Sequence, residues 1–199
     1  MTVTRERFEQ GLTFEEFKAQ MTRNRERLEA NERDVALDPE DLAAFRSLLR
    51  PLHVLVLAEE WCGDVIANLP VLARLARESG KLDVRLFLRD QNKDLMGRYL
   101  KAGRFESIPV FAFFDDDFSE VGVFIERPAS VSARRAEKIA EIYARNPEFG
   151  SPDDPLERLP EETRRRLQEA FVAMRAELKP FSDREVVREL RTIVGAVPV

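Results

Sequence analysis

The sequence predicts an α/β fold in which helices flank a central mixed sheet, with further helices added at both ends of the chain. Leu52–Ala58 is an apolar run of strand length, a second strand is predicted at about Leu82–Leu88, and a segment with helical periodicity separates the two. Two later runs, residues 110–115 and 120–126, are joined by a turn of three aspartates and predict an antiparallel hairpin. The expected order of core elements is therefore strand, helix, strand, helix, strand, strand, helix.

Length, composition and charge restrict the class of protein. A chain of 199 residues suits one domain with extensions, and 44% hydrophobic residues supply a core that needs no metal or disulfide. The net charge of −5 argues against nucleic acid as a partner, because phosphate binding depends on clustered lysines and arginines. No apolar run is long enough to span a membrane, and the first ten residues do not resemble a secretory signal. One cysteine cannot form an internal disulfide, so nothing indicates an oxidising compartment. Together, these features predict a cytoplasmic protein with no membrane partner.

Residues 1–50 are expected to form an N-terminal helical extension. Thr13 and Glu16 have the spacing of a capping box, and Asp38 followed by Pro39 is a second helix start. Four apolar residues follow a helical repeat after the first start and predict its buried face: Phe14, Phe17, Met21 and Leu28.

Residues 51–146 are expected to form the core that carries the sheet. After the second strand, Asp90 or Asn92 can cap a helix that runs to about Lys101, where Gly103 stops it. A proline after the hairpin starts the last core helix.

Residues 147–199 are expected to hold a linker and C-terminal helices packed on the core. The stretch 146–160 is rich in proline, aspartate, glycine and serine, as linkers are. Two helices are predicted after it, and Ser182 with Glu185 has the spacing that caps the second.

The chain's single cysteine, Cys62, lies where the first buried strand turns into a helix. The first backbone N–H groups of a helix lack intrahelical partners and carry partial positive charge. We therefore expect the thiolate, which is the reactive form of cysteine, to be stabilised there. Glu59, Glu60 and Asp64 would oppose this stabilisation if their carboxylates lie close to the sulfur.

The segment around this cysteine resembles the active-site segment of the thioredoxin family, whose usual pattern is Trp-Cys-Gly-Pro-Cys. Trp61, Cys62 and Gly63 match the first three positions, and Asp64 stands where the proline usually is. Pro70 falls where the family's active-site helix carries a kinking proline. The resemblance covers roughly residues 51–146 and implies a thioredoxin-like fold.

A second match is the pair Ile108 and Pro109, which precedes an apolar strand as the family's cis-proline loop does. The resemblance implies that this loop lies opposite Cys62 and that backbone beside Pro109 pairs with an extended substrate peptide. It also implies that Trp61 is the apolar wall of the same groove. Arg127 directly follows the second strand of the hairpin, whose end lies beside the start of the first, where Pro109 is, so Arg127 is either a neighbour of the thiol or a plain surface arginine.

Two departures from the family pattern affect the expected chemistry. Val65 occupies the position of the second cysteine, so no thiol of this chain can resolve a mixed disulfide. Val56 replaces the family's buried aspartate. Reduction of a disulfide by an intramolecular dithiol is therefore excluded.

The candidate catalytic residues are Cys62 and Asp64. Asp64 either favours the helix N-terminus electrostatically or takes part in proton transfer and ligand orientation. The candidate groove residues are Trp61, Gly63, Ile108, Pro109 and Arg127. His53, the single histidine, is expected to be structural, and no metal-ligand spacing or cofactor motif is present.

Three functions are compatible with these residues. The first is monothiol exchange, in which Cys62 forms mixed disulfides with a protein or a low-molecular-weight thiol, and an external thiol resolves them. The second is a redox-inactive binding module that holds a peptide or protein in the groove of Trp61 and Pro109. A glutathione-transferase-like enzyme is the least supported, because the C-terminal helices are short for that domain. Pathway, oligomeric state and the role of the terminal helices stay open.

Overall fold

The computed structural model describes residues 3–196, and within that range it has four strands and eight α-helices. The strands are β1 (Leu52–Ala58), β2 (Leu82–Leu88), β3 (Val110–Phe114) and β4 (Glu120–Ile125). The helices are α1 (Arg5–Phe8), α2 (Phe14–Gln20), α3 (Arg25–Asp34), α4 (Pro39–Arg46), α5 (Gly63–Ser79), α6 (Lys93–Met96), α7 (Ala129–Arg145) and α8 (Glu161–Val194).

The four strands form one mixed sheet in the order β2-β1-β3-β4. β1 is parallel to β2, and β3 is antiparallel to both β1 and β4. The central strands β1 and β3 are buried almost throughout, which explains why their sequences are apolar without alternation. The sheet confirms the predicted α/β class and the predicted order of core elements.

Helix α5 connects the parallel pair and contains Pro70 in its interior. A proline has no N–H, so the carbonyl of Ile66, four residues earlier, loses its usual donor within the helix. The side chain of Asn31 on α3 donates a hydrogen bond to that carbonyl at 2.8 Å. Helix α3 therefore supplies the donor that the proline removes.

The N-terminal segment begins its helices where the sequence predicts. Thr13 and Glu16 form the capping box, and Asp38 accepts a hydrogen bond at the start of α4, with Pro39 in the first turn. The apolar face predicted for a single helix is divided between α2 and α3. Helix α2 ends at Gln20 because Met21 adopts extended backbone, and α3 starts after Asn24, which has a left-handed conformation with φ 59°.

Both edge strands of the sheet contact further parts of the chain. Leu12 exchanges two backbone hydrogen bonds with Leu86 of β2, at 2.8 and 2.7 Å. A Cβ atom on Gly122 of β4 would lie 2.9 Å from the side chain of Ile193, so the last turns of α8 pack closely on that strand. The Leu12 pairing occupies backbone groups at the β2 edge that would otherwise be unpaired, whereas Ile193 packs against a face of the sheet at β4.

The prediction that the helix after β2 runs to about Lys101 is wrong, because α6 ends at Met96. The N–H groups of Arg98 and Tyr99 bond to carbonyls three residues back, which tightens the chain into turns. Positive φ angles at Ala102 and Gly103 then reverse its direction, and the chain continues as a loop to Pro109.

The prediction of two C-terminal helices is wrong as well, because a single helix, α8, runs without interruption from Glu161 to Val194 with Pro180 inside it. A proline in a helix interior removes one hydrogen bond and strains the preceding turn, but it does not force an end. The apolar repeat continues past it through Val187 and Leu190, which are buried.

The described chain falls into two compact units. One comprises the residues up to Arg127 together with those from Asp183 onward, and it contains the sheet; the other is Pro128–Ser182, with α7 and the first part of α8. The division into segments 1–50, 51–146 and 147–199 stays a prediction, and its terminal positions 1–2 and 197–199 lie outside the described residues. None of the helices between residues 3 and 196 has both the length and the apolar character that crossing a bilayer requires.

Candidate functional site

The sulfur of Cys62 faces the loop that carries Pro109. Cys62 is the N-cap residue of α5, directly after the turn that follows β1, and it is partly exposed. Its S–H donates to the backbone carbonyl of Ile108 at 3.5 Å. The Ile108–Pro109 peptide bond is cis. Helix start and proline loop thus meet at the thiol.

Burial raises the pKa of the Cys62 thiol above its ordinary value, and this is the largest influence on it. The backbone N–H groups of Val65 and Asp64 lower that pKa, as expected at a helix N-terminus, and so does the charge of Arg127. The Asp64 carboxylate acts in the opposite direction. The helix N-terminus thus favours the thiolate and Asp64 opposes it, as the sequence predicts, but desolvation outweighs the helix terminus and the pKa of Cys62 is raised.

Two of the three acidic neighbours of the cysteine are bound elsewhere. Glu59 accepts a hydrogen bond from the N–H of Asp90 at 2.8 Å, and Glu60 accepts from the N–H and the hydroxyl of Thr22 at 2.6 and 2.7 Å. Among the three, it is therefore Asp64 whose charge acts on the sulfur.

Asp64 and Arg127 form a two-point ion pair beside the thiol. Arg127 donates through Nε and Nη2 to the two carboxylate oxygens, at 3.1 and 2.5 Å. About a fifth of each side chain is exposed, 21% for Asp64 and 20% for Arg127, so solvent screens the pair only in part. Paired guanidinium and carboxylate groups of this geometry fix each other's orientation.

Three residues near this pair were not predicted from the sequence. Glu126 has a positive φ of 67° and contacts Arg127 with its carboxylate. Its backbone carbonyl accepts from Asn68 of α5 at 2.8 Å, and its carboxylate accepts from Lys101 at 2.5 Å. Of the three, only Asn68 is recognisable in the sequence, as the single polar residue within the buried stripe of α5, where it is 3% exposed.

Trp61 and Gly63 form the exposed rim of the site. Trp61 is 44% exposed, and the guanidinium of Arg89 lies 4.8 Å from the centre of its ring. Arg89 also donates to the carbonyl of Glu106, which links the ring to the loop before Pro109. A Cβ atom at Gly63 would meet nothing within 4 Å, so the first turn of α5 is open to an approaching molecule.

The positions that depart from the family pattern are apolar and inaccessible. Val56 on β1 and Val65 on α5 are both 0% exposed.

His53 lies at the other end of β1, between Phe8 and Phe118, with ring centres 5.1 and 4.7 Å away. Within residues 3–196, no group of three His, Cys, Asp or Glu side chains has an arrangement that could hold a metal ion.

Comparison with known proteins places this geometry in a family. Residues 11–139 match the family model described as thioredoxin. A protein of unknown function from Pseudomonas aeruginosa has a similar structure, with a TM-score of 0.70 and 19% identity over 99% of this chain and 100% of that one. An HIV epitope-scaffold is similar too, with a TM-score of 0.66 and 17% identity over 96% of each chain. These identities show a shared fold alone, and no curated protein matches the sequence.

Proposed function

Since the chain belongs to the thioredoxin family, we propose that it carries out monothiol thiol–disulfide exchange through Cys62. The observation that supports this is the position of the sulfur, which is partly exposed at the start of α5 and within 3.5 Å of the carbonyl of Ile108 in the cis-proline loop. Its substrates would be a protein disulfide or a low-molecular-weight disulfide, and an external thiol would complete the cycle, because the chain has no second cysteine.

The proposed reaction has two steps. Cys62 loses its proton to solvent, and the thiolate attacks one sulfur of an external disulfide. A bond forms between that sulfur and Cys62, the original disulfide bond breaks, and the other sulfur leaves as a thiolate that takes up a proton. An external thiolate then attacks the mixed disulfide and releases Cys62. A reducing cytoplasm contains such thiols, and it is the compartment we propose.

Each candidate residue has a part in this proposal. Arg127 favours the thiolate by its charge, while Asp64 holds Arg127 in place. Trp61 and Gly63 leave space for the substrate on one side of the sulfur. Ile108 and Pro109 would offer backbone to an extended substrate on the other side. No cofactor is required.

The raised pKa of Cys62 sets the expected pH dependence. The thiol is mostly protonated at neutral pH, so the rate of exchange should rise about tenfold per pH unit until the pH passes the thiol pKa, above its ordinary value of 9.0. The test is mixed-disulfide formation with glutathione disulfide from neutral to alkaline pH, followed by intact-protein mass spectrometry. Cys62→Ala is the control, and absence of an adduct from wild type even at alkaline pH would overturn the proposal.

A second experiment asks whether the missing thiol is the limiting feature. Val65→Cys puts a sulfur at the family's second position, and the change in buried volume is small. We expect this variant to form an intramolecular disulfide and to reduce a protein disulfide with turnover. Val65→Ala controls for packing. A variant that stays fully reduced under mild oxidation would mean that the scaffold does not support exchange at Cys62.

The alternative, a redox-inactive binding module, is favoured by one specific observation. The S–H of Cys62 donates to Ile108, and burial raises its pKa, so in the free protein it is a protonated group that ties helix to loop. Under this alternative, Trp61→Ala would abolish binding of an extended peptide while Cys62→Ser would retain it. Loss of binding together with the thiol would instead support covalent capture.

A further inference from the structure

Glu126 adopts a backbone conformation that its side chain does not explain. It follows β4 directly, and its φ of 67° lies in the left-handed region, which costs free energy for a residue with a Cβ atom. Glycine, asparagine or aspartate would be the expected residue at such a turn. Strain of this kind is a reason to look for a role of the side chain.

The backbone of Glu126 joins the two elements that meet at the thiol. Its N–H donates to the carbonyl of Pro109 at 2.7 Å. Its carbonyl accepts from the side chain of Asn68 on α5 at 2.8 Å. Asn68 is 3% exposed, so this bond lies inside the protein, where losing it would leave a buried polar group without a partner. The left-handed turn is therefore fixed from both sides.

The carboxylate of Glu126 extends the same connection to the charged groups. It accepts from Lys101 at 2.5 Å and from the side chain of Ser107, both in the loop before Pro109. It also accepts from Arg127, the next residue, which at the same time binds Asp64. Charge-assisted bonds from two cations fix a half-buried carboxylate more firmly than neutral bonds would.

We propose that Glu126 is a positioning residue for Cys62: its turn directs Arg127 toward Asp64, and its carboxylate holds that guanidinium beside the sulfur and against the proline loop. The inference rests on the proposed function, because it describes the same site. It concerns how the charge next to the sulfur is held in place. The charged groups that act on the sulfur are Asp64 and Arg127.

Changing Glu126 has two opposite effects on the pKa of Cys62, and this makes the proposal testable. Loss of its negative charge alone would leave the positive charge of Arg127 less neutralised, which favours the thiolate and lowers the pKa of Cys62. Loss of its hold on Arg127 would withdraw a positive charge from the sulfur and raise that pKa. The pH dependence of the alkylation rate shows whether the pKa of Cys62 has risen or fallen, since only the thiolate reacts.

The experiment compares iodoacetamide alkylation across pH in wild type and in variants of Glu126. Glu126→Gly and Glu126→Asn suit the left-handed turn but do not reach Lys101 and Arg127 together, and Glu126→Gln keeps the reach without the charge. We expect both short variants to alkylate at least threefold more slowly at pH 8, as Arg127→Gln does, and Glu126→Gln to be at least as fast as wild type. A double variant that combines Glu126→Gly or Glu126→Asn with Arg127→Gln should be no slower than Arg127→Gln alone.

A separate carboxylate provides the matched control. Glu78 also binds a cation, Arg74 at 2.7 Å, but it lies in the last turn of α5, at the opposite end of the helix from Cys62, so Glu78→Gln should leave the alkylation profile unchanged. The proposal is overturned if the short variants react as fast as wild type or faster, if Arg127→Gln has no effect, or if the double variants show additive losses. Alkylation requires no disulfide exchange, so a wild type that alkylates as expected but forms no mixed disulfide would refute the proposed function alone.

Discussion

The carbonyl of Ile66 provides a direct test of what helix α3 contributes to the active-site helix. Pro70 leaves this carbonyl without its donor within α5, and Asn31 donates to it at 2.8 Å. Ile66 is 0% exposed, so in Asn31→Ala solvent cannot readily replace the bond. A buried polar group left without a partner costs about 1–3 kcal/mol, and we expect Asn31→Ala to lower the free energy of unfolding by about 2 kcal/mol.

The same substitution in a Pro70→Ala background should cost much less. Alanine restores the N–H at position 70, and that group can donate to Ile66 in the ordinary helical way. We expect the loss caused by Asn31→Ala to fall below about 1 kcal/mol there, a coupling typical of residues that share a partner. Urea unfolding followed by fluorescence of Trp61, the single tryptophan, measures all four proteins. Equal losses in the two backgrounds would refute the reasoning.

Three further predictions concern charge, titration and packing. Asp64→Asn removes the carboxylate charge that raises the pKa of Cys62, while the amide oxygen can still accept from Arg127, so we expect that pKa to fall and alkylation at neutral pH to be faster; an unchanged rate would contradict this. The pKa of Tyr99 is raised from 10.0 to about 12, so it contributes stability that is complete below pH 10 and lost between pH 10 and 12; Tyr99→Phe should lack that decline in alkaline denaturation. Gly122→Ala would place a Cβ atom 2.9 Å from Ile193 and should cost about 1–3 kcal/mol in thermal unfolding, whereas no loss would mean that α8 moves freely there.

Strand positions were the most predictable part of this fold. Leu52–Ala58 has the predicted bounds as an apolar run of strand length that is buried in the sheet. Leu82–Leu88 has the predicted bounds as well, although it carries Asp83 and Arg85, which are partly exposed. Helix ends were less predictable. Ser182 and Glu185 have the spacing of a helix start, yet the same residues fit the interior of a continuous helix, and the sequence does not distinguish the two cases when a proline precedes them.

At the candidate site, local pattern predicted the position of the sulfur but not its ionisation. Cys62 at the start of α5 follows from the strand-to-helix transition, and Arg127 follows from the pairing of β3 with β4. The depth at which the sulfur is buried depends on the whole packed structure, and this depth determines the direction of its pKa. Glu126 was missed for a similar reason, since a glutamate in a left-handed turn contradicts local preference and depends on contacts distant in sequence.

The S–H bond from Cys62 to Ile108 has opposite consequences for the two candidate functions. For a binding module the bond is favourable, because it keeps the proline loop against the start of α5 and no reaction of the thiol is needed. For exchange it must break, since the proton has to leave before the sulfur can attack, and Arg127 is the nearby charge that favours this step. A substrate that covers the site would remove solvent and strengthen the attraction between thiolate and guanidinium. Monothiol exchange is therefore expected to depend more steeply on Arg127 than peptide binding does, and Arg127→Gln separates the two functions even where Cys62→Ser does not.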